Sequence, residues 1–99
     1  YSVEEYAAYR VITLKGKLVL FNAEEFREEF FRLVEQDGKE IRFNLKALTF
    51  LDSSGIGLLI KLNRKVQASG RKMILSQVPD FIQKTLRGAG LENVLQIEA

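Results

Sequence analysis

Ninety-nine residues with an ordinary apolar share fit one domain with a modest core, and a net charge of +2 is too small to argue for nucleic acid. The chain has neither cysteine nor histidine, which removes disulfides, thiolate catalysis, the commonest general base and the commonest zinc ligand. No apolar run approaches the roughly 20 residues needed to cross a bilayer. The opening segment, with Glu4 and Glu5, does not read as a signal peptide, so the expected compartment is the cytoplasm, with no membrane partner.

Tyr9 to Leu14 is rich in β-formers and ends at Gly16, a predicted turn. Leu18 to Phe21 is a second short apolar run. Asn22, with Glu25 three residues on, has the spacing of a capping box and marks a helix start. Ala23, Phe26, Phe30, Leu33 and Val34 then fall on one face at helical period, and Asp37-Gly38 ends that helix. Ile41, Phe43 and Leu45 alternate with Arg42 and Asn44, which predicts a strand with one wet face; Leu48, Phe50 and Leu51 continue the run. A second helix, from Ile56 to Ala68, ends near Ser69-Gly70. Its Ile56, Leu59, Ile60, Asn63 and Val66 share one arc and are predicted to face the sheet. Lys72 to Ser76 reads as a strand. Val78-Pro79-Asp80 opens a third helix with Phe81, Ile82 and Leu86 inward, Gly88 and Gly90 close it, and Val94 to Ile97 is a last short strand. Strands alternating with helices predict an α/β domain of parallel strands joined by right-handed crossovers. The half-wet strand places the helices mainly on one face, in two layers.

Asp52-Ser53-Ser54-Gly55-Ile56-Gly57 falls where the strand-like run Ile41 to Leu51 gives way to the second helix. Helix N-termini present unpaired N–H groups and a partial positive charge. The polar residues here therefore suit two roles: capping the helix, or carrying a phosphate that the helix end stabilises. Catalysis fits poorly. The serine elbow of hydrolases needs a glycine two residues before the nucleophile, which is absent, and no histidine exists to activate the serine; a serine–lysine pair with Lys46 or Lys61 is conceivable, but nothing fixes its spacing. Gly55-Ile56-Gly57 without a phosphate-binding lysine is not a P-loop, so the glycines are read as permitting close backbone approach. No carboxylate spacing predicts a metal site, and no cofactor is expected.

Charge is uneven along the chain. Acids dominate Glu24 to Glu40, whereas Lys61, Arg64, Lys65, Arg71 and Lys72 form a purely basic run. No aromatic residue interleaves that run, which disfavours direct nucleic-acid binding and leaves a solvated face or a protein-docking face. Leu58 falls roughly opposite the sheet-facing arc of the second helix, and Leu62 lies on its edge. Flanked by Lys61 and Lys65, these two leucines are expected to be exposed and to contact a partner.

The run Asn44 to Gly57, N-L-K-A-L-T-F-L-D-S-S-G-I-G, resembles the signature of the STAS domain in its anti-sigma factor antagonist branch, N-L-x-x-L-x-F-[ML]-D-S-S-G-[LI]-G. Gly16-Lys17-Leu18 resembles the family's G-x-L turn, and Gly88-Ala89-Gly90-Leu91 its late S-G-L turn. The order of elements matches over residues 1–99. The resemblance implies a single STAS-type domain with a mixed, mostly parallel sheet. It implies a non-enzymatic switch in which Ser53, supported by Asp52, Ser54, Gly55 and Gly57, is phosphorylated by an anti-sigma factor with serine kinase activity. A phosphoserine phosphatase would reset it. Unphosphorylated, such a protein binds the anti-sigma factor and releases the sigma factor. One departure is marked: where many members carry Asp after G-x-L, this chain has Val19, followed by Leu20 and Phe21. These three are expected to add to the partner contact. In the alternative reading they form a ligand pocket, and the chain is a sensing or scaffolding STAS module of a larger assembly.

Overall fold

The structure, a computed structural model, describes residues 1–99 in backbone and every side chain except those of Leu20, Phe21 and Asp37. Five strands and three helices follow in the order β1 (Ser2–Glu5), β2 (Tyr9–Leu18), α1 (Leu20–Glu35), β3 (Glu40–Leu51), α2 (Ser53–Ala68), β4 (Met73–Ser76), α3 (Asp80–Gly88) and β5 (Gln96–Ile97). The strands lie side by side in chain order. β1 is antiparallel to β2, and every later pair is parallel. Right-handed crossovers between successive neighbours place all the helices on one face. The burial pattern agrees: Ile41, Phe43 and Leu45 are buried, whereas Arg42 and Asn44 are half-buried on the other side. The two-layer mixed sheet expected from sequence is the observed fold.

Several local readings need correction. β1 was not foreseen, because Val3 is its only apolar residue and no alternation marks it. β2 does not stop at Gly16 but runs through it to Leu18. Gly16 has φ +78°, and the pairing with β3 slips on either side of it, so the glycine is a bulge inside the strand. The apolar run Leu18 to Phe21 thus divides between the end of β2 and the start of α1. α1 begins at Leu20 and not at Asn22. Asn22 is its third residue, and Asn22 Oδ1 accepts the Val19 N–H at 2.9 Å while Nδ2 donates to the Lys17 carbonyl at 2.7 Å. This is the reciprocal half of a capping box; Val19, the cap residue, has no side-chain acceptor to supply the other half. Phe81, expected inward, is 48% exposed, while Ile82 and Leu86 are buried as expected.

A lock at the opposite end of the helices escaped the sequence reading. Arg10 is buried on the core face of β2. Its guanidinium donates to the carbonyls of Leu33 and Gln36, satisfying the end of α1, and to Glu5 Oε2 at 2.7 Å. Lys39 Nζ donates to the other Glu5 oxygen at 3.1 Å. Arg10 first, and then Lys39, hold the Glu5 carboxyl below its ordinary pKa. A carboxyl lowered in the folded state stabilises the protein above the ordinary carboxylate range, and that stabilisation is lost as pH falls through the lowered value. Wild-type thermal midpoints should therefore fall on acidification below about pH 4.5 more steeply than those of Glu5→Gln. Parallel pH profiles for the two proteins would refute the linkage.

Candidate functional site at the start of α2

The turn between β3 and α2 is built by one carboxylate and one glycine. Asp52 is in extended conformation, and its Oδ1 accepts the N–H groups of Ser54 and Gly55 at 2.9 and 3.0 Å. Its carbonyl accepts the Ile56 N–H at 3.0 Å, closing the first helical turn. Capping therefore falls to Asp52, and the carboxylate sits at the positive end of the helix dipole. Gly55 is buried against the end of β2. A β-carbon there would stand 2.3 Å from the Leu18 carbonyl oxygen and 2.7 Å from Leu51 Cδ1. The Asp52 N–H also bonds that carbonyl, at 3.3 Å. The start of α2 is thus pressed onto the last residue of β2, which Val19, the half-buried cap of α1, directly follows in the chain.

With capping done by Asp52, the two serines differ. Ser53, the first residue of α2, is exposed. Ser54 is half-buried and faces α1, lining a recess of about 190 Å³ with Ala23, Glu24, Arg27, Gly57 and Lys61. Its hydroxyl has no hydrogen-bond partner among the described residues, so local bonding of the Ser54 hydroxyl is not what separates the two serines. Accessibility is.

The expected leucine docking face is not present. Leu58 is 4% exposed and Leu62 is fully buried, both in the main core. The helical wheel assumed that α2 meets only the sheet. In fact α1 packs along the flank of α2: Leu58 lies beside Ala23 where the two helices meet, and Leu62 is part of the common core. The same rotation lifts Ile56 and Ile60 out of the sheet-facing arc, leaving them half-buried at the core's edge. Leu59, Asn63 and Val66 do face inward; Asn63 Nδ2 donates to the Val94 carbonyl at 3.1 Å and pins the C-terminal segment to α2. Lys61 and Lys65 are exposed as expected, and Lys65 pairs with Glu35 of α1 at 2.9 Å. Leu20 and Phe21 open α1, and their side chains lie outside the described residues. Sequence reasoning missed Ile56, Ile60 and Arg64 as the outward arc beside Ser53. Setting the core arc by the whole set of apolar positions, Leu58 and Leu62 included, would have revealed it.

Among the described residues no group of three or more acidic side chains is placed to hold a metal ion, and no helix is long and apolar enough to cross a membrane. The site is a solvent-facing serine on a rigidly capped helix. The sequence model of the STAS domain family matches residues 1–99. The chain belongs to the STAS domain family. An anti-sigma-B factor antagonist of Bacillus subtilis is 25% identical over 88 residues, covering 89% of this chain and 80% of the relative. The phosphorylated form of the Bacillus cell fate determinant SpoIIAA superposes with a TM-score of 0.73 at 26% identity, covering 99% of this STAS domain and 90% of that chain. An anti-sigma factor antagonist STAS protein of Planctomyces limnophilus superposes at 0.85 with 16% identity, covering 99% and 88%. The last likeness speaks to the fold alone.

Proposed function

We propose that this STAS domain is a cytoplasmic anti-sigma factor antagonist, switched by phosphorylation of Ser53, and not an enzyme. The observation that carries the reading is the exposed Ser53 on a helix start whose Ser54 and Gly55 N–H groups Asp52 already holds. A phosphate there adds about −1.5 to −2 charges. It meets the Asp52 carboxylate and finds the Ser54 and Gly55 N–H groups occupied. The added charge therefore projects outward, against whatever docks beside the turn. Unphosphorylated, the domain binds an anti-sigma factor and frees the sigma factor; that anti-sigma factor acts as the serine kinase, and a phosphatase restores binding. Ser53, Ile56 and Ile60 are the proposed contact residues on α2, with Lys61 beside them and Val19 to Phe21 at the start of α1.

The test is incubation with a panel of anti-sigma factor kinases and ATP, followed by mass spectrometry. Phosphate is expected on Ser53. Ser53→Ala should abolish modification with the thermal midpoint preserved, because Asp52 does the capping. Ser53→Asp should weaken binding, though less than phosphate, because it carries less charge. Phosphate recovered on Ser54 would overturn the assignment.

A further inference from the structure

Gly57 has no reason within the fold to be glycine. It lies in the second turn of α2 without the positive φ that favours glycine, and a β-carbon built on it meets nothing within 4 Å. Gly55, two residues earlier, has a steric requirement; Gly57 has none. A glycine inside a helix destabilises it relative to alanine, so a requirement outside the chain is the remaining physical explanation. Glycine also marks places where another backbone approaches closely.

The surroundings of Gly57 say what approaches. At 100° per residue, Ser53, Ile56, Gly57, Ile60, Lys61 and Arg64 fall within one arc of roughly 140°. Ile56 and Ile60 are half-buried, while Lys61 and Arg64 are exposed. α2 contains no acidic residue from Ser53 to Ala68. Lys65 is neutralised by Glu35, but neither Lys61 nor Arg64 has an ion-pair partner among the described residues. Lys61 shares a recess with Glu24 and Arg27 of α1 but closes no ion pair with them, so the arc offers an apolar strip, a bare point of closest approach and two cations free to pair with a partner.

We infer that a helix of the anti-sigma factor, apolar on one face and acidic at its edge, crosses α2 in close contact at Gly57. The inference rests on the function proposed above and names the partner's docking element. Apolar residues of the partner cover Ile56 and Ile60, and its carboxylates meet Lys61 and Arg64. The missing side chain at Gly57 lets the two helix backbones approach, as small residues do at tight helix crossings. A phosphate on Ser53, at the end of this arc, then stands against the acidic edge of the partner, which gives the switch its sign.

The experiment uses whichever anti-sigma factor binds the wild-type chain and phosphorylates Ser53. Gly57→Ala should raise the thermal midpoint by roughly 2–6 °C, as relief of a helical glycine does, and yet weaken the complex at least ~10-fold. Lys61→Glu with Arg64→Glu should slow association at least ~10-fold at low salt and flatten its dependence on ionic strength. A Gly57→Ala protein that binds like wild type, or that is less stable than wild type, overturns the crossing at Gly57. Unchanged association of the charge-reversed protein overturns the acidic partner. In both cases Ser53 phosphorylation still measures the functional reading separately, and a wild-type chain that binds no anti-sigma factor overturns both.

Discussion

Leu58→Asp is expected to abolish cooperative folding or to lower the thermal midpoint by more than about 15 °C. Leu58 lies beside Ala23 where α1 and α2 meet, at 4% exposure. A carboxylate there loses its hydration, at a cost of several kcal/mol, against a total stability of about 5–15 kcal/mol for a domain of this kind. Leu62→Ala, at a fully buried position, leaves a cavity and should cost about 2–5 kcal/mol. Arg64→Glu, at an exposed position of the outward arc, is the contrast. It should keep the midpoint within a few degrees of wild type while weakening the anti-sigma factor complex. Circular dichroism melts of the three variants, with binding measured for those that fold, decide the matter. A folded Leu58→Asp protein with a near-wild-type midpoint would return Leu58 to the surface and undo the packing of α1 on α2.

The error that placed Leu58 and Leu62 outside has a general cause. Hydrophobic periodicity identifies a helix and its inward arc, but the width of that arc depends on how many neighbours the helix has. α2 packs on the sheet and on α1 at once, so its buried arc is wider and rotated relative to a helix lying on a sheet alone. Nothing local in Ser53 to Ala68 reports that second neighbour. By contrast, β3 was legible because Ile41, Phe43 and Leu45 alternate with Arg42 and Asn44, a pattern that records one sheet face against helices and one against solvent. The serine turn was legible as a strand-to-helix junction because Asp52, Ser53 and Ser54 precede an apolar period. Which of the three caps the helix was left open, since all suit the role; the backbone geometry decides for Asp52. Arg10 was invisible as a helix lock. A lone arginine in a strand reads as solvent-facing, and its partners, Glu5 on β1 and the carbonyls at the end of α1, are brought to it only by the tertiary fold.

Gly55→Ala and Gly57→Ala should shift stability in opposite directions, although they lie two residues apart on one helix. Intrinsic propensity favours alanine at both by about 1 kcal/mol. At Gly57 nothing opposes that gain. At Gly55 the new methyl would stand 2.3 Å from the Leu18 carbonyl oxygen, a backbone atom of β2 with no rotamer to yield, and 2.7 Å from Leu51 Cδ1. Relief requires the start of α2 to move away from the sheet. That motion strains the 3.3 Å bond from the Asp52 N–H to Leu18 and shifts the carboxylate that caps Ser54 and Gly55. Overpacking of this kind costs about 1–3 kcal/mol, and more where backbone is the obstacle. Gly55→Ala should therefore unfold at lower denaturant with an unchanged slope, which marks lost stability and not a changed unfolded state. Because the motion carries Ser53 with it, phosphorylation should also slow under conditions where the variant is fully folded. A Gly55→Ala protein as stable as wild type would mean that α2 does not press on β2, and the rigid presentation of Ser53 would lose its structural basis.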